Sequence, residues 1–259
     1  MTAMKQLRFA GFYRMTETSL PRRRCQDGPM TTAGRPRLST KKRPGDTALE
    51  EILDAAAELF TTRGFTNTST RMIADAVGMR QASLYHHFAN KDELLSLLLS
   101  GTVDGPLAVA QRIADSDAAA AVKMYALALF DADQLCRSRW NLGALYLLPE
   151  IREPRFDTFR AHRHALMDRY ASIAAEVLHR TTAALPGTEE LPFRLVETVV
   201  NGRADAESGR DASGEDYARV VAEAAVRVLG WTGSVDELHT QARPLLEYAA
   251  DHVPDAPTR

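Results

Sequence analysis

The sequence predicts an all-α protein with a small N-terminal helix-turn-helix domain and a larger C-terminal helical domain. Apolar residues recur at helical spacing from residue 47 onward, and the C-terminal part shows no strand-like alternation. Two short helical segments flank a glycine turn near residue 78. Of the 259 residues, 45% are hydrophobic and 25% charged. This ordinary globular composition excludes a chain that is disordered throughout.

Residues 1–45 are predicted to be a basic, disordered arm. Residues 1–46 contain eleven Lys or Arg against three acids, a charge of +8, so the rest of the chain carries −10. The arm shows no apolar periodicity and contains four prolines. Its charge indicates a polyanionic partner at one end of the molecule. Alternatively, part of the arm precedes the true translation start, since four methionines offer starts: Met1, Met4, Met15 and Met30.

Membrane and metal partners are not expected. No stretch reaches the roughly 18 uninterrupted apolar residues of a membrane span, and charges interrupt the N-terminus where a signal peptide needs an apolar run. Cys25 and Cys136 lack the spacing of a disulfide framework or a zinc site. We therefore expect a cytoplasmic protein that binds no metal.

The helix-turn-helix domain is predicted to span residues 46–101 and to begin with a helix near 47–63. Thr47 and Glu50 have the spacing of a capping box, in which each side chain bonds the other residue's backbone N–H. Apolar residues share one face, and the acidic residues are expected on the opposite face. Those acidic residues are Glu50, Glu51, Asp54 and Glu58. Gly64 is the expected end of this helix.

Two short helices are predicted next. Residues 68–78 open with hydroxyl caps and end on Gly78, and residues 81–88 give about two more turns before Asn90 caps a longer helix. Two short helices around a glycine turn make a helix-turn-helix. The glycines and the proline at 101–106 are expected to separate this domain from the rest of the chain.

The start of the second short helix carries side chains that suit the major groove of double-stranded DNA. Gln81 can pair bidentately with adenine and Arg80 with guanine, while Ala82 allows close approach to a thymine methyl beside Ser83. Other polar side chains nearby can reach phosphates: Ser69, Thr70, Tyr85, His86 and Lys91. Residues 61–91 hold four Lys or Arg against one acid. The alternative is a solvated helical surface, because helix-turn-helix geometry also occurs in proteins that never contact DNA.

Residues 47–96 carry a series of motifs in a specific order and spacing. They are Gly64-Phe65, Thr68-Ser69, Ile73-Ala74, Ala76-Val77-Gly78, Ser83-Leu84-Tyr85-His86-His87-Phe88, Lys91 and Leu94-Leu95. Together they resemble the DNA-binding domain of the tetracycline-repressor (TetR) family of bacterial transcription regulators. The arm departs from this pattern, since the typical family member begins only shortly before the first helix.

The resemblance implies a role for each matching residue. Those that read or approach bases are Arg71, Arg80, Gln81, Ala82 and Ser83. Those that hold phosphates are Thr70, Tyr85, His86 and Lys91. His87 and Phe88 are expected to support the packing of the small domain rather than to contact DNA.

Residues 105–252 are predicted to form a helical domain for ligand binding and dimerisation. Its predicted helices span 117–139, 142–151, 154–179, 192–207, 215–229 and 234–250, the last bent or restarted at Pro244. An apolar stripe on two of them resembles the surface through which family members dimerise as a four-helix bundle. It consists of Leu195, Val196, Val199, Val200, Val220, Val221, Ala224, Ala225 and Val228. The alternative is intrachain core.

The resemblance also implies a ligand pocket in this domain, whose occupation changes the separation of two DNA-binding heads. The candidate lining residues are Met124, Tyr125, Phe130, Trp140, Asn141, Tyr146, Phe156, Phe159 and His162. Such residues at helical spacing also form ordinary core. His164 and Asp168 share a helix face, but two ligands do not make a metal site.

These features predict a homodimeric repressor that binds a palindromic operator and is released by a small-molecule effector. The sequence contains no Gly-x-Ser-x-Gly elbow, phosphate-cradling glycine loop or His-Glu-x-x-His motif, so we expect no enzyme, no catalytic residue and no cofactor. One alternative is a DNA-binding regulator without a small-molecule ligand. Another is a helical enzyme or carrier with a vestigial head.

Overall fold

The computed structural model describes residues 43–45, 47–178, 185–206 and 215–251, and these residues form helices without strands. Nine α-helices lie in these ranges: α1 (Ala48–Arg63), α2 (Thr70–Val77), α3 (Gln81–Leu84), α4 (Lys91–Ala114), α5 (Ala120–Arg137), α6 (Asp157–Leu178), α7 (Leu191–Ala206), α8 (Glu215–Arg227) and α9 (Val235–Asp251). Short 3-10 helices span Leu142–Leu147, Pro149–Arg152, Pro154–Phe156 and Thr188–Glu190. The all-α prediction is confirmed.

The head, which comprises α1, α2, α3 and the first half of α4, has the caps that the sequence predicted. The Glu50 backbone N–H donates to Thr47 Oγ1 at 3.2 Å, and the Thr47 N–H donates to Glu50 Oε2 at 2.9 Å. Gly64 ends α1 with a φ of 84°, and Gly78 ends α2 in the left-handed conformation with a φ of 79°. Glycine adopts these angles without strain, so both helices stop where the fold requires a turn.

The acidic residues of α1, predicted on the face opposite the apolar residues, are partly covered by other parts of the chain. Glu50 and Glu51 are 4% and 2% exposed. Gly45 lies directly against Glu50, because a Cβ added to it would come within 2.7 Å of the glutamate Cβ. Arg43 pairs with Asp54 at 2.8 Å. Residues 43–45 therefore belong to the head, and the prediction that they are disordered is wrong; residues 1–42 of the predicted arm lie outside the described residues.

Helix α4 runs without interruption from the head into the larger C-terminal domain, here called the body. It passes through Gly101, Gly105 and Pro106, so these residues do not interrupt the helix. The division into domains 46–101 and 105–252 stays a prediction. By length and composition alone α4 could cross a membrane, but half of its most apolar window is buried inside the protein. Its contacts with α1, α5 and α6 are those of a core helix.

A side chain from α5 compensates for the proline inside α4. Pro106 has no N–H, so the carbonyl of Thr102 loses its partner in the helical hydrogen-bond series. The Gln134 side chain fills this gap and donates to the Thr102 carbonyl at 2.8 Å. A buried carbonyl is thereby satisfied, which allows α4 to continue.

Helix α5 lies at the centre of the body and packs against α4, α6, α7, α8 and α9. The other predicted body helices agree with the structure within about three residues, except that residues 142–151 form two 3-10 helices rather than one short helix. Pro244 lies inside α9, which does not restart there.

Candidate DNA interface

The first residues of α3 project from the head with their side chains exposed. Arg80, Gln81, Ala82 and Ser83 are all exposed, whereas Leu84 is fully buried in the core. The buried Leu84 therefore anchors this short helix in the core of the head, and the N-terminal end of the helix faces outward. A recognition helix reads base edges with its N-terminal residues, and this arrangement permits such reading.

Gln81 is hydrogen-bonded to two hydroxyl groups that the sequence assigned to phosphates. Its amide nitrogen lies 3.0 Å from Thr70 Oγ1 and 3.4 Å from the Tyr85 hydroxyl. The two hydroxyl oxygens are 3.1 Å apart. Because Thr70 starts α2 and Tyr85 follows α3, this polar triad joins the two helices of the motif at their exposed surface.

Lys91 has a structural role that the sequence reasoning missed. Its ammonium group donates to the carbonyls of Phe65 at 2.9 Å and Thr68 at 3.2 Å, and the carbonyl of Thr66 lies 3.5 Å away. The same ammonium lies 4.3 Å from the centre of the Phe65 ring. An ammonium has three N–H donors, so these carbonyls use its full capacity. The phosphate contact of Lys91 stays a prediction that competes with this role.

The remaining predicted contacts are exposed. His86 is exposed, as a phosphate contact requires, and Arg71 is 79% exposed with only a 3.9 Å pair to Asp75. Phe88 is 2% exposed and packs in the head core, as expected. His87 is exposed, so the expectation that it supports this core is wrong.

Asp54 on α1 joins the head to the body. Its carboxylate accepts the Trp140 indole N–H at 2.9 Å and one Arg139 N–H at 3.1 Å, in addition to the pair with Arg43. Trp140 was predicted as a pocket residue, and it also lines a small cavity. No sequence motif indicated this contact, because the partners are 85 or 86 residues apart.

The predicted pocket residues lie in several parts of the body rather than around one cavity. Met124 and Tyr125 are fully buried, and the Tyr125 hydroxyl lies 3.2 Å from His239 Nδ1. Phe130 lies close to Gly105, and His162 pairs at the surface with Asp104 at 2.8 Å.

Four further pocket candidates lie elsewhere. Tyr146 and Phe159 pack ring against ring with centroids 5.5 Å apart, and Phe156 is 1% exposed. Asn141 lines the small cavity together with Trp140 and donates to the Val200 carbonyl at 2.8 Å. This cavity has a volume of about 10 Å³, which is at the lower limit for a single water molecule.

A buried polar network crosses the body beside this cavity. The Tyr146 hydroxyl donates to Thr102 Oγ1 at 2.5 Å, and Asp131 accepts from Gln134 and from Tyr170, each at 3.1 Å. Burial raises the pKa of Asp131 to about 7, although these two hydrogen bonds favour its ionised form. Burial likewise raises the pKa of Tyr170, next to the Asp131 carboxylate.

The predicted dimer stripe is divided between core and surface. Within this chain, Val196, Val199, Val221 and Ala225 are buried. Val200 packs on Gly143, where an added Cβ would collide with it. Val220 is 59% and Val228 36% exposed, and Leu195 and Ala224 are partly exposed. These last four, and the partly exposed Val200, have surface to offer a second copy. Among the described residues, no group of three or more His, Cys, Asp or Glu side chains is placed to hold a metal ion.

Comparison with known proteins agrees with this geometry. Residues 52–98 match the family of bacterial regulatory proteins described as tetR family. The crystal structure of Mycobacterium smegmatis AmtR is 51% identical, with a TM-score of 0.75, and the match covers 80% of this chain and 98% of that one.

Two curated relatives from Mycobacterium tuberculosis are named as HTH-type transcriptional repressors. KstR2 is 46% identical over 68 residues, which is 26% of this chain and 34% of KstR2, so the match spans about a third of that relative. Rv1474c is 27% identical over 173 residues, which is 66% of this chain and 86% of Rv1474c.

Proposed function

This chain belongs to the TetR family of bacterial regulatory proteins and is a DNA-binding transcription regulator, and we propose that it is a repressor released by a small molecule. Two copies bind a palindromic operator through α3, and an effector in the body ends this binding. The observation that carries the proposal is the exposed N-terminal end of α3, fixed by the buried Leu84. The relatives named as transcriptional repressors support it.

A homodimer follows from the size of the recognition element. Helix α3 has four residues, which reach too few base pairs for specific binding by one copy. Two copies related by a two-fold axis read two half-sites. The partly exposed Leu195, Val220, Ala224 and Val228 on α7, α8 and the residue after α8 supply an apolar surface for this contact.

The dimer surface is tested by placing a charge on it. Val220→Glu is expected to convert the dimer to a monomer in sedimentation, because an unpaired carboxylate is costly to bury in an apolar interface. Leu147→Glu is the matched control, since Leu147 is 86% exposed and lies outside this surface. A Val220→Glu protein that stays dimeric contradicts the assignment of the interface.

Release by an effector requires a path from the body to the head. Helix α4 runs through both parts, and Asp54 ties α1 to Arg139 and Trp140 beside the small cavity. An effector that binds more tightly to a conformation with a different spacing of the heads shifts the population away from DNA. The cytoplasm is the compartment in which such a protein meets the chromosome.

A second candidate is a regulator that needs no small molecule. The compact packing of the predicted pocket residues, with a cavity of only about 10 Å³ beside Trp140, favours it. Ligand sites are usually clefts of about 300–1,000 Å³, so an effector that binds beside Trp140 requires this cavity to open.

A reporter assay in cells separates the two candidates. A promoter that carries the operator is expected to be silenced by the chain and restored by one class of small molecule added from a metabolite panel. Arg80→Ala, which changes an exposed residue at the start of α3, is expected to relieve the silencing without any added molecule. Silencing that no metabolite reverses favours the regulator without a ligand, and a promoter that is not silenced at all contradicts repression.

A further inference from the structure

Three side chains meet on the exposed face of the head: Thr70 of α2, Gln81 of α3 and Tyr85, which follows α3. We propose that Thr70 and Tyr85 are positioning residues that orient the Gln81 amide to read an adenine. The inference rests on the proposed DNA binding. It goes beyond the phosphate contacts that the resemblance implied for both hydroxyls, because it gives them a part in sequence discrimination.

The distances within this triad show which groups remain free. Separations of 3.0, 3.4 and 3.1 Å make a nearly equilateral triangle. The angle at the Gln81 nitrogen is therefore about 60°, about half of the ~120° between the two N–H bonds of an amide. A single N–H that points between the two hydroxyl oxygens serves both, and the second N–H then points away from them. In this orientation, which the proposal requires, the amide keeps one N–H donor and its Oε1 acceptor for DNA.

One donor beside one acceptor is the pattern that adenine requires. In the major groove adenine offers the N7 acceptor and the N6 amino donor, and a glutamine amide pairs with both. Guanine offers two acceptors there, so it meets the amide oxygen unfavourably. The hydrogen bonds to Thr70 and Tyr85 hold the amide plane before DNA arrives, which lowers the side-chain entropy lost on binding.

The hydroxyl pair also connects the base contact to the backbone of DNA. Thr70 and Tyr85 share one hydrogen bond, so one of their two O–H groups donates to the other oxygen. The second O–H remains for a phosphate. A phosphate contact and a base contact thus belong to one connected network, and loss of either hydroxyl is expected to disturb both.

The test begins with operators selected from random DNA by the wild-type chain. Comparison with Gln81→Ala identifies the base pair that Gln81 reads, where the variant is expected to lose about 5- to 150-fold of discrimination. Affinities are then measured for this operator and for versions with guanine or 7-deazaadenine in place of that adenine. One preparation of each variant is measured against all operators. The ratio of its affinities therefore does not depend on the fraction of that variant that is folded.

Tyr85→Phe and Thr70→Val are each expected to lower the adenine preference at least threefold. Added to Gln81→Ala, neither is expected to lower the preference below that of Gln81→Ala alone. His86→Ala is the control, because His86 is exposed beside Tyr85 but lies outside the triad; it is expected to weaken binding to all operators equally. The proposal is overturned by an unchanged preference in Tyr85→Phe and Thr70→Val, or by a Gln81→Ala protein with the wild-type preference. A wild-type chain that selects no sequence overturns the proposed function itself.

Discussion

At the scale of single residues, the same chemical group can act in the fold or on DNA, and the geometry decides which. Lys91 and Arg71 are both cations of the head, but Lys91 donates to backbone carbonyls while Arg71 is 79% exposed. A sequence shows that both residues are positive. It does not show which of them already has partners.

Replacing Lys91 is expected to destabilise the protein. Lys91→Met removes the donor to the carbonyls of Phe65 and Thr68, and loss of charged hydrogen bonds costs about 1–3 kcal/mol. Thermal unfolding measures this change. Arg71→Met is the control and is expected to leave the melting temperature nearly unchanged, because its pair with Asp75 is exposed. Equal stability of the two variants contradicts the structural role of Lys91.

Asp131 is expected to make stability depend on pH. Its pKa is raised to about 7 in the folded chain, from an ordinary value of about 3.9. Between these values the folded carboxyl keeps its proton while the unfolded carboxyl loses it, so a rise in pH favours unfolding. The free energy of unfolding of the wild-type chain is expected to fall relative to that of Asp131→Asn from about pH 4 to 7, and to level off above. If the free energies of unfolding of the two proteins change with pH in parallel, the pKa of Asp131 is not raised in the folded chain.

At the scale of helices, the caps could be predicted and the continuity of helices could not. Thr47, Gly64 and Gly78 mark ends because their effects are local. Pro106 looked like a boundary, but α4 continues through it because Gln134 of α5 donates to the Thr102 carbonyl, which the proline leaves without its helical donor. That compensation comes from a distant part of the chain, which a local pattern does not contain.

The role of Gln134 predicts a rescue. Gln134→Leu leaves the buried Thr102 carbonyl without a donor and is expected to cost about 1–3 kcal/mol of unfolding free energy. Pro106→Ala restores a backbone N–H to α4, so it is expected to recover part of this loss in the Gln134→Leu background. Chemical denaturation of the four proteins measures the coupling. If Pro106→Ala changes the unfolding free energy equally in the wild-type and Gln134→Leu backgrounds, Gln134 does not compensate for the proline.

At the scale of the whole molecule, the sequence predicted the all-α class, the family and the exposed start of α3, since these depend on local motifs. It did not predict the ties between head and body. Asp54 is predicted on the helix face opposite the apolar residues, yet it accepts hydrogen bonds from Arg43, Arg139 and Trp140. The pocket candidates were chosen for their chemistry, and the fold distributes them over the body because helix packing sets their position.

Asp54 is expected to stabilise the connection between the two parts. Asp54→Ala removes one acceptor from the Trp140 indole N–H and from Arg43, which keeps Glu58 as a partner, and the loss of such hydrogen bonds costs about 1–3 kcal/mol. Asp75→Ala is the control, because its carboxylate is 73% exposed. Chemical denaturation followed by tryptophan fluorescence measures the change in stability, with signals from Trp140 and Trp231. A stability equal to that of Asp75→Ala contradicts the coupling role of Asp54.

The most direct test of the account is a footprint of the purified chain on the DNA that flanks its own gene, at near-physiological salt and with competitor DNA. Two copies that read DNA through α3 are expected to protect a palindrome whose half-sites lie about one helical turn apart. Gln81→Ala is expected to weaken this protection while the protein stays folded. An absence of protection there, together with no motif from random-sequence selection, would contradict the central claim that this chain is a sequence-specific regulator.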